Sequence, residues 1–340
     1  MSEVRARGVP GGWGLATAFV LAAALLSGLA IGPVSTGIWP IASSALAHLG
    51  IGHSRLGATD SAIVWQLRAP RIVLAALVGG MLAIAGGAYQ GAFRNPLVDP
   101  YLLGTAAGAG LGATLAITQS VSAGLLPVAA FVGASVAVFG AYALGRSVGG
   151  VRSTGTLILA GVTITAFMTA LQTFVQQEHS DQLQEVYSFL LGGFGSATWH
   201  DVWICAPYIA VSSVVLILHR RVLDVLSLGD EEAASLGIDV RRTRLIIVVA
   251  ATIGTAAAVS VSGLIGFVGI IVPHTVRLLV STSYRAIIPL ALVLGGAFLV
   301  LTDILARTVM SPAELPIGVV TAFFGAPFFA VVLRTTRRTG

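Results

Sequence analysis

The chain has 340 residues, 56% of them hydrophobic and only 10% charged, with a mean hydropathy of +0.93. A soluble domain carries about 25% charged residues, so a water-facing globular protein is excluded and most of the surface has to face lipid. All 19 basic residues are Arg, which excludes a P-loop lysine or a Schiff-base lysine, and the single Cys205 excludes an intrachain disulfide or a cysteine metal cluster.

The formal net charge of +5 does not point to nucleic acid, because the Arg residues are scattered between apolar runs. A membrane span needs roughly 20 apolar residues. The first such run, Gly14 to Ile31 behind Arg5 and Arg7, has the outline of a signal peptide. It is long for one and similar runs follow, so it reads as a first span. The next runs cover approximately 69–92, with Arg68 and Arg71 at its start, and 100–118. In the latter, Gly104, Gly108 and Gly112 recur every four residues, a small face on which another helix can pack closely. Spans over 124–144 and 155–177 follow. Within 155–177, Gly161, Thr165, Thr169, Gln172 and Gln176 share one helical face. This uncharged polar stripe suits either a passage for a bulky, weakly held substrate or hydrogen bonding between helices.

After a span over 201–219 comes the longest loop, 221–242. In it, Asp230 can cap a short helix, Glu231 and Glu232 oppose the dipole in the first turn, and Gly237 can close it in a left-handed cap. Such a helix would expose Ala233, Ala234 and Leu236 and is too small to stand alone, so it has to dock. The last spans are expected over 243–262, 266–281, 286–306 and 316–333, the third from last being short for a crossing. Most prolines fall near span ends, where a helix tolerates them. With the N-terminus in the cytoplasm, Arg94, Arg146, Arg152, Arg220, Arg221, Arg241, Arg242, Arg244, Arg277, Arg285, Arg334, Arg337 and Arg338 lie inside, and only Arg55, Arg68, Arg71 and Arg307 outside. The expected fold is an all-α, polytopic transmembrane helical bundle of about ten spans with both termini cytoplasmic. Residues 1–340 are expected to form a single domain, with the short helix at 229–238 inside it.

Five blocks in order carry a family resemblance. They are Arg68-Ala-Pro-Arg71; Gly86-Gly-Ala-Tyr-Gln-Gly91 with Arg94-Asn-Pro-Leu-Val-Asp-Pro100; Gly229-Asp-Glu-Glu-Ala-Ala-Ser-Leu-Gly237; Gly263 through His274 with Arg277; and Asp303-Ile-Leu-Ala-Arg307 with Glu314 through Pro327. Over nearly the whole chain the sequence resembles the FecCD-like permeases of bacterial ABC importers for iron–siderophore complexes, haem and vitamin B12. The resemblance implies a homodimer with a second permease copy, two ABC ATPase subunits below, an extracytoplasmic substrate-binding protein, and a place in the bacterial cytoplasmic membrane. ATP and Mg would then sit on the partner ATPase, with no cofactor and no metal on this chain. It also implies that Asp230, Glu231, Ala233, Ala234, Leu236 and Gly237 couple to the ATPase. The 155–177 stripe would line the passage, and Arg55 and Arg307 would meet acidic groups of the binding protein unless they pair locally. Arg68 and Arg71 read as interfacial anchors. The six His residues show no metal-ligand spacing. The expected cargo is an iron complex, with cobalamin as the alternative. A secondary transporter would need an intramembrane ion-coupling site, for which Asp303 is the best candidate, and a membrane hydrolase would need paired acid/base groups at depth, which do not appear.

Overall fold

A computed structural model describes residues 9–32, 36–48, 50–149 and 154–336. Among the described residues the chain is all-helical and no strand forms. Seven helices are long and apolar enough to cross a membrane: α1 (Gly11–Ala30), α3 (Ala58–Phe93), α5 (Leu126–Gly149), α6 (Thr154–Glu178), α8 (Trp199–Leu226), α10 (Val240–Ser262) and α12 (Tyr284–Thr308). Three expected spans are shorter apolar helices, α4 (Thr105–Thr118), α11 (Val268–Leu279) and α13 (Ile317–Thr336). Between these lie α2 (Ile38–His48), α7 (Leu183–Leu191) and α9 (Asp230–Ser235). Of these three, only α9 is foreseeable from the sequence.

The helices are not equivalent. The most apolar stretch of α3 is 83% buried and that of α10 72%, whereas those of α1 and α6 are 17% buried. The long apolar runs therefore divide into a protein-covered core and a periphery left for lipid or a partner. Helix α3 is central, and glycines along it let neighbouring backbones approach. Gly79 lies against the Gly295 backbone of α12, and Gly86 against Gly269 of α11, at distances that leave no room for a Cβ. Around α3 pack α12, α10, α8, α11 and α1, while α4, α5 and α6 form a second group joined to it through α10. Gly108 and Gly112 do bring the α4 backbone onto α5, but Gly104 lies just before α4 with φ 85°.

Two local features depart from the expectations. After one α-helical turn, Ala58–Ala62, helix α3 passes through a π-type stretch, Ile63–Arg68, in which the Ala69 amide donates to Val64 five residues back. Pro70 has no N–H to bond Gln66, and the wider turn accommodates its ring. Pro207 and Pro327 lie well inside α8 and α13 rather than near their ends. Membrane helices tolerate this because neighbouring groups satisfy the freed carbonyls.

Candidate coupling and translocation surfaces

The short helix α9 hangs between α8 and α10. Gly237, at φ 81°, ends it: the Gly237 amide donates to Ala234 at 2.9 Å and the Ile238 amide to Ala233 at 3.1 Å, a paired left-handed closure. The expectation that Asp230 caps the helix is corrected. Gly229 occupies the cap, and the Asp230 carboxylate instead accepts from Arg244 Nη2 at 2.8 Å and Nη1 at 3.3 Å. Arg244 is 5% exposed, and its Nε donates to the Ala92 carbonyl at 3.0 Å. That carbonyl belongs to the last turn of α3, where no intrahelical donor remains. One guanidinium thus ties α9 to the end of the central helix through charge-assisted bonds.

Docking on the permease uses Ala233, which is fully buried rather than exposed as expected. The other side of α9 is free: Glu231, Ala234 and Gly237 are exposed, and Leu236 is 65% exposed. Leu228, just before α9, is exposed to the same degree and adds a second apolar knob. A further brace was not legible in the sequence. Asp224, on α8, accepts from Ser283 Oγ at 2.7 Å and the Tyr284 amide at 2.5 Å, so it caps α12 from another helix. Only its type signals a cap; its partners are 59 and 60 residues away.

The polar stripe of α6 divides. Gly161 presses on the Leu102 carbonyl, and Gln172 is 7% exposed with its side chain over Gly110 of α4. Thr165 is half-buried near Gly104, Thr169 is exposed, and Gln176 is half-buried with its Nε2 lacking a partner. The open face of α6 beside them carries Val162, Phe167, Leu171 and Phe174.

The expected docking pair also separates. Arg55 is exposed in the segment between α2 and α3. Arg307 is 3% exposed; its Nη2 donates to the Gly28 carbonyl at 2.6 Å and its Nε lies 3.6 Å from Asp303. Asp303 is fully buried and accepts from Arg71 Nε at 2.9 Å. The other edge of Arg71 holds Glu314 through Nη1 and Nη2 at 2.8 and 2.9 Å. This planar, two-sided use suits a guanidinium and fastens α3, α12 and the segment before α13 together. Arg68 donates to the Leu29 carbonyl at 2.8 Å and to Thr36 Oγ1 at 2.7 Å. Both residues of the Arg-Ala-Pro-Arg block are therefore internal clamps rather than interfacial anchors.

Near the end of α7, non-helical backbone is buried. The Gly193 amide donates to Ser262 at 2.9 Å, the Ile317 amide to Gly192 at 3.0 Å, and Tyr101 Oη to Ile265 at 3.0 Å. Such backbone persists at depth only when protein satisfies it. Beside this junction opens a cavity of about 660 Å³, lined in part by Glu185, Ser188, His200, Asp201, Ser260 and Ser262. This cavity was not legible in the sequence, because its walls come from separate loops and helix ends. No group of three or more His, Cys, Asp or Glu among the described residues could hold a metal.

Residues 20–335 match the FecCD transport family. The chain is 38% identical over 368 aligned residues to a cobalamin import system permease protein, BtuC, of Halobacterium salinarum, covering 98% of each. It is 38% identical over 280 residues to the hemin transport system permease protein HmuU of Yersinia pestis, covering 78% of this chain and 81% of that one. Among solved structures, an inward-facing ABC transporter of the metal-chelate type superposes with a TM-score of 0.82 at 29% identity, covering 94% of this chain and 98% of the other.

Proposed function

The chain belongs to the FecCD transport family, the multi-pass permease subunits of ABC importers, and from that premise we propose that it moves a bulky metal chelate inward through a dimeric passage powered by a separate ATPase. It is a transport subunit and not an enzyme; ATP and Mg belong to the partner ATPase. The observation that carries the proposal is the architecture of α9: one side fixed by buried Ala233 and by Arg244 on the α3 terminus, the other presenting Ala234 and Leu236. A helix braced to the central span and bare on its outer side can pass a push from an ATPase groove into the core. In this reading Asp230 is the brace, Glu231, Ala234 and Leu236 meet the ATPase, and Ala233 and Gly237 keep the helix in place.

The same reading gives about ten crossings with both termini cytoplasmic in the bacterial inner membrane, a second permease copy, two ATPase subunits and an extracytoplasmic binding protein. The passage follows the two-fold axis, where identical faces meet. From the stripe, Thr165, Thr169 and Gln176 reach it, while Gly161 and Gln172 hold α6 to its neighbours. Arg55 is the docking residue that remains for the binding protein, since Arg307 is spent inside the fold.

Two cargoes fit. An iron complex, expected from the sequence, is supported by the likeness to the hemin permease and the metal-chelate transporter. Cobalamin is supported by the relative that matches over 98% of both chains, the fuller likeness of the two. Co-expression with the ATPase tests the common part. Leu236→Asp should leave the permease soluble in detergent and monodisperse but abolish its stimulation of the ATPase. Full stimulation by that variant would refute α9 as the coupling element.

A further inference from the structure

Apart from the coupling surface, α8, α12 and Val9, two residues before α1, border an open pocket of about 530 Å³ lined by Val9, Arg220, Arg221, Arg285 and Pro289. Three of these five residues are arginine, and the carboxylates nearby do not balance them. Asp224 is 3.4 Å from Arg285 Nε, but its oxygens are occupied by Ser283 and the Tyr284 amide, and that Nε is buried without a hydrogen bond. Arg220 donates one bond, to the Ile217 carbonyl at 2.9 Å. Arg221 is exposed and forms no ion pair among the described residues. His219 turns its Nδ1 to the Val215 carbonyl of its own helix. The pocket therefore offers guanidinium donors with a local excess of positive charge.

Its position says what would bring the missing anion. On α8, Val211, Val214 and Leu218 are 65%, 56% and 69% exposed and are spaced by three and four residues, so they form one apolar stripe. Arg221 follows three residues later on the same face. The stripe is acyl-chain surface, and it ends at the pocket. Trp13 of α1, also part-exposed, stands one turn beyond Val9, as an aromatic residue does at the headgroup level of a bilayer.

We infer that Arg220, Arg221 and Arg285 bind the headgroup phosphate of an anionic phospholipid whose acyl chains lie along the Val211–Leu218 stripe. Basic pockets between spans at the cytoplasmic side suit this chemistry, and planar guanidinium forks suit phosphate oxygens. The inference rests on α8 crossing the bilayer and not on the identity of the cargo.

The test uses the delipidated full-length permease in detergent, with phosphatidylglycerol, phosphatidylcholine or inorganic phosphate added and retained lipid counted by native mass spectrometry. Wild type should retain phosphatidylglycerol in preference to phosphatidylcholine. Arg221→Gln and Arg220→Gln should each weaken that retention about fivefold, the equivalent of about 1 kcal/mol per arginine. Arg241→Gln, an exposed arginine on the first turn of α10, should leave it unchanged. Arg221 is exposed, so its variant should fold, and the elution profile checks that. Equal retention of both lipids, or undiminished retention by Arg221→Gln, would overturn the site. Competition by inorganic phosphate as strong as by phosphatidylglycerol would overturn the lipid as its source. Because binding is read in micelles without ATPase or cargo, its failure would not bear on the transport proposal.

Discussion

Asp303 is the residue that joins α3 and α12, fully buried between Arg71 and Arg307. Buried charges are favourable only if paired, and removing the shared carboxylate leaves Arg307 buried without its carboxylate and Arg71 with Glu314 alone. Asp303→Asn should therefore cost about 3–5 kcal/mol, read as a lowered thermal midpoint of the purified protein. Glu314→Gln should cost about 1 kcal/mol or less, because the Glu314 side chain is 43% exposed and water can replace it. Equal losses would contradict the buried ion cluster. Asp303 also answers the alternative of an ion-coupled carrier: its carboxylate is consumed by arginines and is not open to a coupling ion. Little of this was legible in the sequence. The motif blocks place Arg71, Asp303 and Glu314 on the chain, but the partners are 232 and 243 residues apart, and no periodicity links them. Arg307 reads as a surface cation for the same reason: exposure depends on a neighbour that local pattern does not reveal.

At the scale of elements, α9 shows what a short segment does and does not declare. Its acidic first turn and its Gly237 end can be read because they are local chemistry, whereas the cap falls on Gly229 and not on Asp230. Which side docks cannot, because six residues make fewer than two turns and carry alanines on both sides. The structure settles this, and the expected behaviour follows: Ala233→Arg should prevent folding by forcing a charge into a closed contact, whereas Ala234→Arg should fold and lose ATPase stimulation. Size-exclusion profiles separate the two outcomes, and a well-folded, fully coupled Ala233→Arg variant would refute the assignment. For α6, single cysteines in a Cys205→Ser background read the divided stripe. Cysteine at Thr169 or Gln176 should react with a water-soluble thiol reagent added from outside, and cysteine at Gly161 or Gln172 should stay protected. Matching reactivity at all four positions would remove the passage from this helix. Helices α2 and α7 were missed because each is too short to register as a hydropathic run, although both shape the outer side.

For the whole molecule, composition and arginine bias were enough to give a membrane bundle, and motif order was enough to give the family. They did not distinguish helices covered by protein, such as α3 and α10, from those left bare, such as α1 and α6, because the mean hydropathy of both kinds is high. Small-residue content does not separate them either, since ten of the twenty residues of α1 are glycine or alanine; what marks the covered helices is particular glycines on a facing backbone, as at Gly79 on Gly295. In the proposed function the bare faces of α6 are the surfaces that a second copy covers, with the passage between them. The measurement that tests this account most directly is uptake into proteoliposomes containing the permease and its ATPase, with the binding protein added outside. Radiolabelled cobalamin and a radiolabelled iron chelate would be offered in parallel. The account predicts accumulation of one of them that requires ATP inside, the binding protein outside and an intact Leu236. Accumulation driven by a proton or sodium gradient without ATP, or unchanged in Leu236→Asp, would contradict it.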